Sequence, residues 1–449
     1  MTPSAPAPAV GPLPPLGPHQ PFELPPLGPH QPFELPPHTD LSLPSGLRAV
    51  IVRADSTPMA EIRLLLPLPV HRADPATASV LAALLTGNTA LRTAAGIEAA
   101  LGREGSLLSA AWTGSGLALS ASVPAHALRW TLDLIAEFLA HPHYSRAACE
   151  AVARRLAERA HGTLAAPAVA AQEALRARCF PDAHHTRRPG PDALGAVTSE
   201  QVTALHTAAV VPRGAFLVVV GAVDPQRTTA DVTAAFASWT DTGPPPDVPG
   251  PVWSGGGIGV VHHRGAAQAQ LALAAPAPPR TDPSFPALSL GNCLFGGFFS
   301  SRLMRQLREK SGLVYQVEST IDDVVARPAI LINCATAVDT APDTLHEIRE
   351  QLDQLHSRPP SPREIDAARE YITGITYIGQ TSQSGLASTL VGVLGYGMST
   401  DWLRDFPEQL RAVTAAQVTE VFEQHYGADA FTGVAVGAPG PWEERISWT

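Results

Sequence analysis

Val197-Thr198-Ser199-Glu200-Gln201-Val202-Thr203 reads almost letter for letter like Val413-Thr414-Ala415-Ala416-Gln417-Val418-Thr419, which begins 216 positions later (413 minus 197). Two further matches hold the same register. Val220-Gly221-Ala222 returns as Val436-Gly437-Ala438, and Ser145, opening SRAACEAVARRLAE, returns as Ser361, opening SPREIDAAREYI. Three matches in one register, spread over most of a lobe, predict a tandem of two similar domains.

Outward from these anchors, each repeat mixes element types. In the first, RAVIVRA and AEIRLLLPL, between Arg48 and Leu68, are strand-like. Helical patterns are expected at 76–86 and 94–102, a strand near 116–123, and helices at 126–140 and 145–160. A helix over 198–208 and the strand Phe216 to Gly221 close the repeat, and the second repeat follows the same order. Strands and helices interleaved in this way predict an α+β fold, each lobe an antiparallel or mixed sheet packed with helices. Thr240 to Gly257, TDTGPPPDVPGPVWSGGG, holds five prolines and five glycines and predicts a linker.

The expected division is a tail over 1–40, a first lobe over 41–239, a linker over 240–257 and a second lobe over 258–449. The tail contains LPPLGPHQPFE twice, from Leu13 and from Leu24. Proline at that density excludes helix and sheet ladders and favours extended polyproline II, so a disordered tail is expected, with a docking arm as the alternative. Its recurring His19 and His30 make no metal site.

A chain of 449 residues is long enough for two or three domains. A net charge of −10 argues against nucleic-acid binding, which calls for a basic stripe. Cys149, Cys179, Cys293 and Cys334 form no C-x-x-C pair, which fits a reducing cytoplasm. No apolar run approaches the ~20 residues of a membrane span. The start, MTPSAPAPAV, lacks a basic segment followed by an apolar core. A soluble cytoplasmic protein without membrane contact is expected.

From Leu294 to Ser319 the chain reads LFGGFFSSRLMRQLREKSGLVYQVES. This closely resembles the second-lobe signature of pitrilysin/insulinase-type zinc peptidases, in the bacterial branch that includes processing-peptidase subunits. HPHYSRAACEAVARRLAE is similar to the helix that follows that family's metal motif, and the stretch ending VVPRGAFLVVVGAVDP is similar to the close of its first lobe. The resemblance implies a clamshell of α+β lobes around a peptide-binding chamber. Catalytic members carry an inverted motif, H-x-x-E-H, in the first lobe. Its histidines and a distant glutamate hold zinc, and its own glutamate activates the metal-bound water.

Set against that motif, this chain has Ser79-Val80-Leu81-Ala82-Ala83. Ser79 and Ala83 replace the histidines and Ala82 the glutamate. Glu158 falls near the third ligand, and one carboxylate cannot hold zinc against water. None of the 16 histidines is followed four residues later by another, so neither H-x-x-E-H nor H-E-x-x-H exists in the chain. The doublets His184-His185 and His262-His263 read as loop or surface residues, because neighbouring side chains on a strand point apart. SVLAALL, apolar nearly all round, predicts a buried helix.

The family's partner subunits use an arginine and a tyrosine seven residues apart to contact the peptide, and these positions are Arg308 and Tyr315. Residues 300–310 are expected as a helix stopped by a left-handed Gly312, followed by a strand with Leu313, Tyr315 and Val317 on one face. A guanidinium and a phenol converging there can donate to a scissile carbonyl. The alternative is that Arg308 answers only the helix dipole and Tyr315 is core. Arg302, Arg305 and Lys310, with Glu309, are expected on a solvated face, and Gly296-Gly297 in a tight turn. The resemblance thus implies a non-catalytic, substrate-binding subunit of a heteromeric zinc peptidase. Its partner is a homologous H-x-x-E-H subunit that carries the zinc, and its substrates are peptides, with leader or processing segments as candidates. The competing expectation is a structural, assembly or peptide-binding protein derived from a peptidase, with no part in proteolysis.

Overall fold

The computed structural model describes residues 33–68, 73–113, 116–183, 187–240, 251–324 and 327–448. His19, His30 and His184-His185 lie outside them. The first lobe contains β1 (His38–Ser42), β2 (Arg48–Arg53), β3 (Met59–Pro67), α1 (Pro75–Leu84), α2 (Ala94–Glu104), β4 (Leu107–Trp112), β5 (Gly116–Pro124), α3 (Leu128–Ala140), α4 (Arg146–Leu164), α5 (Pro167–Cys179), α6 (Pro191–Gly195), α7 (Ser199–Ala209), β6 (Phe216–Gly221) and α8 (Pro225–Ala235). The second contains β7 (Gly257–His262), β8 (Ala269–Pro276), α9 (Phe285–Asn292), β9 (Val314–Asp323), β10 (Pro328–Thr336), α10 (Ala341–Ser357), α11 (Pro362–Gln380), α12 (Gln383–Gly395), α13 (Trp402–Ala412), α14 (Ala415–His425) and β11 (Thr432–Gly437). The sheets run β1-β2-β6-β3-β5-β4 and β7-β11-β8-β10-β9. Each is mixed, with β2 parallel to β6 and β7 parallel to β11.

The repeated letters are the letters that start a helix. Thr198 caps α7 by accepting from the Gln201 N–H, and the Gln201 side chain accepts from the Thr198 N–H at 2.9 Å. Thr414 and Gln417 do the same for α14, again at 2.9 Å. Such a reciprocal box satisfies two helix-end donors at once. The flanking valines, Val197 with Val202 and Val413 with Val418, lie in the core of their own lobe. Ser145 and Ser361 likewise cap α4 and α11. α4 and α11, α5 and α12, α7 and α14, and β6 and β11 all begin and end 216 positions apart (362 minus 146, for instance).

The two lobes exchange helices. α5, from the first lobe, packs on β8 and β11, with Ala171, Leu175 and Phe180 against Ala272, Ala274, Val434 and Val436. Leu271 and Leu273, one position off on β8, face the second lobe's own core. A strand alternates its side chains between faces, so this sheet is buried on both. α12, from the second lobe, returns the exchange on β3 and β6. Its Gln383 Nε2 donates to the carbonyls of Ala54 (2.6 Å) and Thr57 (3.0 Å), and Arg63 Nη2 donates to Ser384 Oγ at 2.8 Å.

Three expectations change. β1 starts at His38, inside the stretch assigned to the tail, because HTDLS carries no proline and pairs antiparallel with β2, where Arg48 meets Asp40 at 2.7 Å. The linker's last residue, Gly257, opens β7, and Trp253 packs edge-on against Phe180 with ring centres 5.3 Å apart. β4 and α5 were not expected as elements. β4 turns Leu107 outward, 74% exposed, which hides the alternation of a half-buried strand. Among the described residues no helix is long and apolar enough to cross a membrane.

Candidate functional site

The positions of the metal motif lie on α1, which is buried over most of its length. Asp74 caps it through the Thr77 N–H at 2.8 Å. The Ser79 hydroxyl donates to the Pro75 carbonyl at 2.7 Å, Ala82 is buried, and Ala83 is half-buried. Glu158 sits exposed on α4. A serine hydroxyl spent on its own helix and two alanines do not fit a zinc ion at these positions. His262, from the second doublet, pairs with Glu443 at 2.7 Å. Burial pushes the thiols of Cys179, Cys293 and Cys334 up to about 12, which leaves them poor nucleophiles.

Arg308 and Tyr315 do come together, by a route the sequence did not announce. α9 runs on into a π-helical turn, Cys293–Gly297, and a second π-helix spans Met304–Lys310. In it the Ser311 N–H reaches the Gln306 carbonyl, five residues back, at 3.0 Å. Such segments are rare and often accompany functional sites. Gly312 then adopts φ +62°, the left-handed conformation expected of it. The expected strand face does not form. Pairing between β9 and β10 steps from Val317↔Cys334 to Val314↔Thr336, three residues against two. This bulge reverses the alternation, so Val317 is 1% exposed while Tyr315 is 79% exposed. The extra residue turns the phenol out of the core.

The Arg308 guanidinium lies over the rings of both Phe299 and Tyr315, 5.0 Å from each centre. Phe299 is itself 61% exposed. Among the described residues no carboxylate or carbonyl holds the Arg308 N–H groups. The ring contacts orient the cation and leave its donors unspent. Phe298, Phe299, Met304, Arg308, Tyr315 and Glu318 line a cleft of about 380 Å³. A larger one, about 860 Å³, lies elsewhere in the second lobe between Arg280, Trp402 and Gln424 and contains none of the positions singled out by sequence.

The support beneath the site is polar and tight. Asn292 Nδ2 donates to the Ser319 carbonyl at 2.9 Å, while Ser319 Oγ (2.6 Å) and the Tyr426 hydroxyl (3.1 Å) both donate to Asn292 Oδ1. The glycines expected in a tight turn belong instead to the first π turn. A Cβ on Gly296 would stand 2.6 Å from Ser319 Cβ, so only glycine lets that turn lie against β9.

The solvated basic face is corrected at Arg302, while Arg305, Glu309 and Lys310 are exposed as expected. The Arg302 side chain is only 15% exposed and is bound at both ends of its fork by Glu364, at 3.0 and 3.2 Å. Its third nitrogen donates to the Arg358 carbonyl at 2.9 Å. Arg305 reaches the same carboxylate at 3.5 Å. Burial alone would raise the Glu364 pKa, but the hydrogen bonds from Arg302 and Ser361 outweigh it and hold the group down at about 2. Arg302 was expected in solvent; the packing of α11 across it decided otherwise.

Sequence reasoning missed two features. Phe299 was not singled out, although the aromatic doublet Phe298-Phe299 was the available signal. The other lies on α11, where Tyr371, whose ring centre is 5.3 Å from that of Phe298, is 40% exposed. Ile375 and Ile378 follow on the same face, 48% and 70% exposed. The signal was YITGITYIG, nine residues without a charge.

Residues 196–372 match the family model of the peptidase M16 inactive domain, a segment that includes Arg308 and Tyr315. An uncharacterised zinc protease of Mycobacterium leprae is 26% identical over 264 residues, 57% of this chain and 59% of that one. The chain spans about half the length of the curated relatives it matches. The crystal structure of a peptidase M16 inactive domain from Pseudomonas fluorescens superposes with a TM-score of 0.82 at 22% identity, covering 90% of this chain and 98% of that one. The periplasmic protease PqqL from Escherichia coli gives a TM-score of 0.76 at 16% identity, covering 91% of this chain and 46% of that one. At these identities the structures establish a shared fold. Residues 196–372 thus resemble the peptidase M16 inactive domain, the two-lobed fold is shared with M16-type structures, and Ser79, Ala82 and Ala83 offer no metal ligands where the motif would stand.

Proposed function

We propose that this chain is the substrate-binding subunit of a two-chain zinc peptidase. A homologous partner supplies the H-x-x-E-H zinc site, and this chain lends it Arg308 and Tyr315. The observation that carries the reading is the half-buried cation held between the exposed rings of Phe299 and Tyr315 with its donors unspent, in a chain similar to a zinc protease. In the complex the guanidinium and the phenol donate to the carbonyl oxygen of the bond being cut, where negative charge grows in the transition state. Loss of one such donor costs ~2.7–4 kcal/mol of transition-state stabilisation, or 10²–10³-fold in rate. PqqL, about twice as long as the region it shares with this chain, supports a second two-lobed body as the missing half. Four free, buried cysteines support the cytoplasm as the compartment.

The test mixes the purified chain with an H-x-x-E-H relative and measures cleavage of a quenched fluorescent peptide. Activity is expected in the mixture and in neither protein alone. Arg308→Ala is expected to lower the rate of the mixture 10²–10³-fold, and Tyr315→Phe about tenfold or more. Full activity of the double variant would falsify the assignment. A mixture that binds the peptide and never cleaves it would instead favour a peptide-binding protein outside proteolysis.

A further inference from the structure

Beyond the donor pair, the second lobe exposes apolar surface that its tandem copy does not. From Tyr371 to Gly379, α11 carries no charge. The aligned stretch of α4, 216 positions earlier, runs from Arg155 to Thr163 and carries Arg155, Glu158, Arg159 and His161. Both helices are 19 residues long and share a serine cap, so the difference is not one of fold. A solvated helix face ordinarily carries charge, and contiguous exposed apolar side chains mark a binding surface.

The stripe is continuous with the Arg308 cleft. Ile378 and Ile375 lead along the helix to Tyr371, whose ring touches Phe298; Phe298 and Phe299 line the cleft beside Arg308 and Tyr315. Tyr371 to Ile378 covers ~10 Å at 1.5 Å per residue. With the ring-to-ring steps the track is ~20–25 Å long, the span of about seven extended residues. The five exposed apolar side chains along it, Phe299, Tyr315, Tyr371, Ile375 and Ile378, offer on the order of 600 Å², at about 200 Å² for a full side chain, below the ~800 Å² per partner of a stable subunit interface. A narrow track that ends at unspent side-chain donors, able to bind peptide carbonyls, suits an extended peptide better than a second folded chain.

We infer that Phe298, Phe299, Tyr371, Ile375 and Ile378 form an extended subsite that binds apolar side chains of the peptide engaged by Arg308 and Tyr315. The inference rests on the proposed function and names its substrate class: peptides with several apolar residues on one side of the scissile bond. The subsite acts by removing that apolar surface from water and needs no charge.

The test uses the full chain and two fluorescein-labelled peptides of eight residues, one with leucine or phenylalanine at alternate positions and one with serine and glutamine there. Fluorescence polarisation is expected to show preference for the apolar peptide. Ile375→Gln combined with Ile378→Gln should weaken that peptide about tenfold and leave the polar one unchanged. Both side chains are exposed, and circular dichroism checks that the variant folds. Equal affinity of the variant and the parent for the apolar peptide overturns the subsite. So does a change in oligomeric state on sedimentation without a change in peptide affinity, which would make the stripe a subunit contact. Loss of cleavage in Arg308→Ala mixtures together with unchanged peptide affinity of the Ile375/Ile378 variant breaks the subsite and leaves the proposed function standing; full cleavage in Arg308→Ala mixtures breaks the proposed function itself.

Discussion

The two lobes follow one plan and put different chemistry on it. In the first lobe α1 is packed with alanine, leucine and valine, and the exposed half of α4 is charged. In the second, the matching α9 runs into π-helical turns that hold Arg308 and Phe299 at the surface, and α11 is apolar where α4 is charged. Duplication kept what starts and ends the elements: caps, staples and the strand that closes each sheet. What differs lies between those signals, where a side chain is free to change without moving the backbone. On the proposed function, the chemistry has withdrawn from one copy and gathered in the other.

The contrast is sharpest at the second helix of each pair. Ser361 and Glu364 form a full capping box on α11, and Glu364 also binds Arg302, whereas Ser145 caps α4 through the Ala148 N–H alone. Glu364→Gln is expected to cost about 2 kcal/mol in urea unfolding at pH 7, since Arg302 loses a charged partner in a largely buried site. The sign of the acid dependence follows from the depressed pKa. The contribution is fully present above the ordinary value of 4.5 and is lost as pH falls toward about 2. If the parent and the glutamine variant lose stability in parallel over that window, the box is not what distinguishes α11.

His206 of α7 reverses the comparison, since it has Phe422 as its counterpart 216 positions later. Its Nε2 donates to the Leu139 carbonyl at 2.9 Å and its Nδ1 accepts from the Tyr144 hydroxyl at 2.8 Å. Burial lowers its pKa against the raising effect of the Leu139 hydrogen bond. A depressed histidine keeps its stabilising contribution above 6.5 and loses it as pH falls below that value toward its folded pKa. The slope is at most about 1.4 kcal/mol per pH unit. His206→Phe should flatten stability between pH 6.5 and 5, and an unchanged slope would remove His206 as a source of acid sensitivity in that window.

The smallest expected effects test what the lobes share. Thr198→Ala and Thr414→Ala should each cost about 1 kcal/mol, by equal amounts within a few tenths, on thermal or chemical unfolding. A cap that matters in only one lobe would show that the repeated letters outlived the role that kept them.

The element pattern of both lobes could be read from the chain because caps and alternation are local, and α4, α7 and β6 fall where their signals put them. β4 and α5 could not. β4 hides its alternation by exposing Leu107, and α5 takes its apolar partners from the other lobe. The same limit applied at the site. The family signature picked out Arg308 and Tyr315, but strand parity put Tyr315 beside Val317 until a bulge separated them.

By itself, the sequence determined the tandem, its register and the absence of H-x-x-E-H, because each rests on residue identity at a spacing the chain carries within itself. Only the tertiary structure decided that helices are exchanged between the lobes, that Arg302 is buried under Glu364, and that Phe299, Arg308, Tyr315 and Tyr371 share one surface. Those facts depend on which distant segments meet, and a bulge, a π turn or a helix borrowed from the other lobe changes that without a local mark in the residues it brings together.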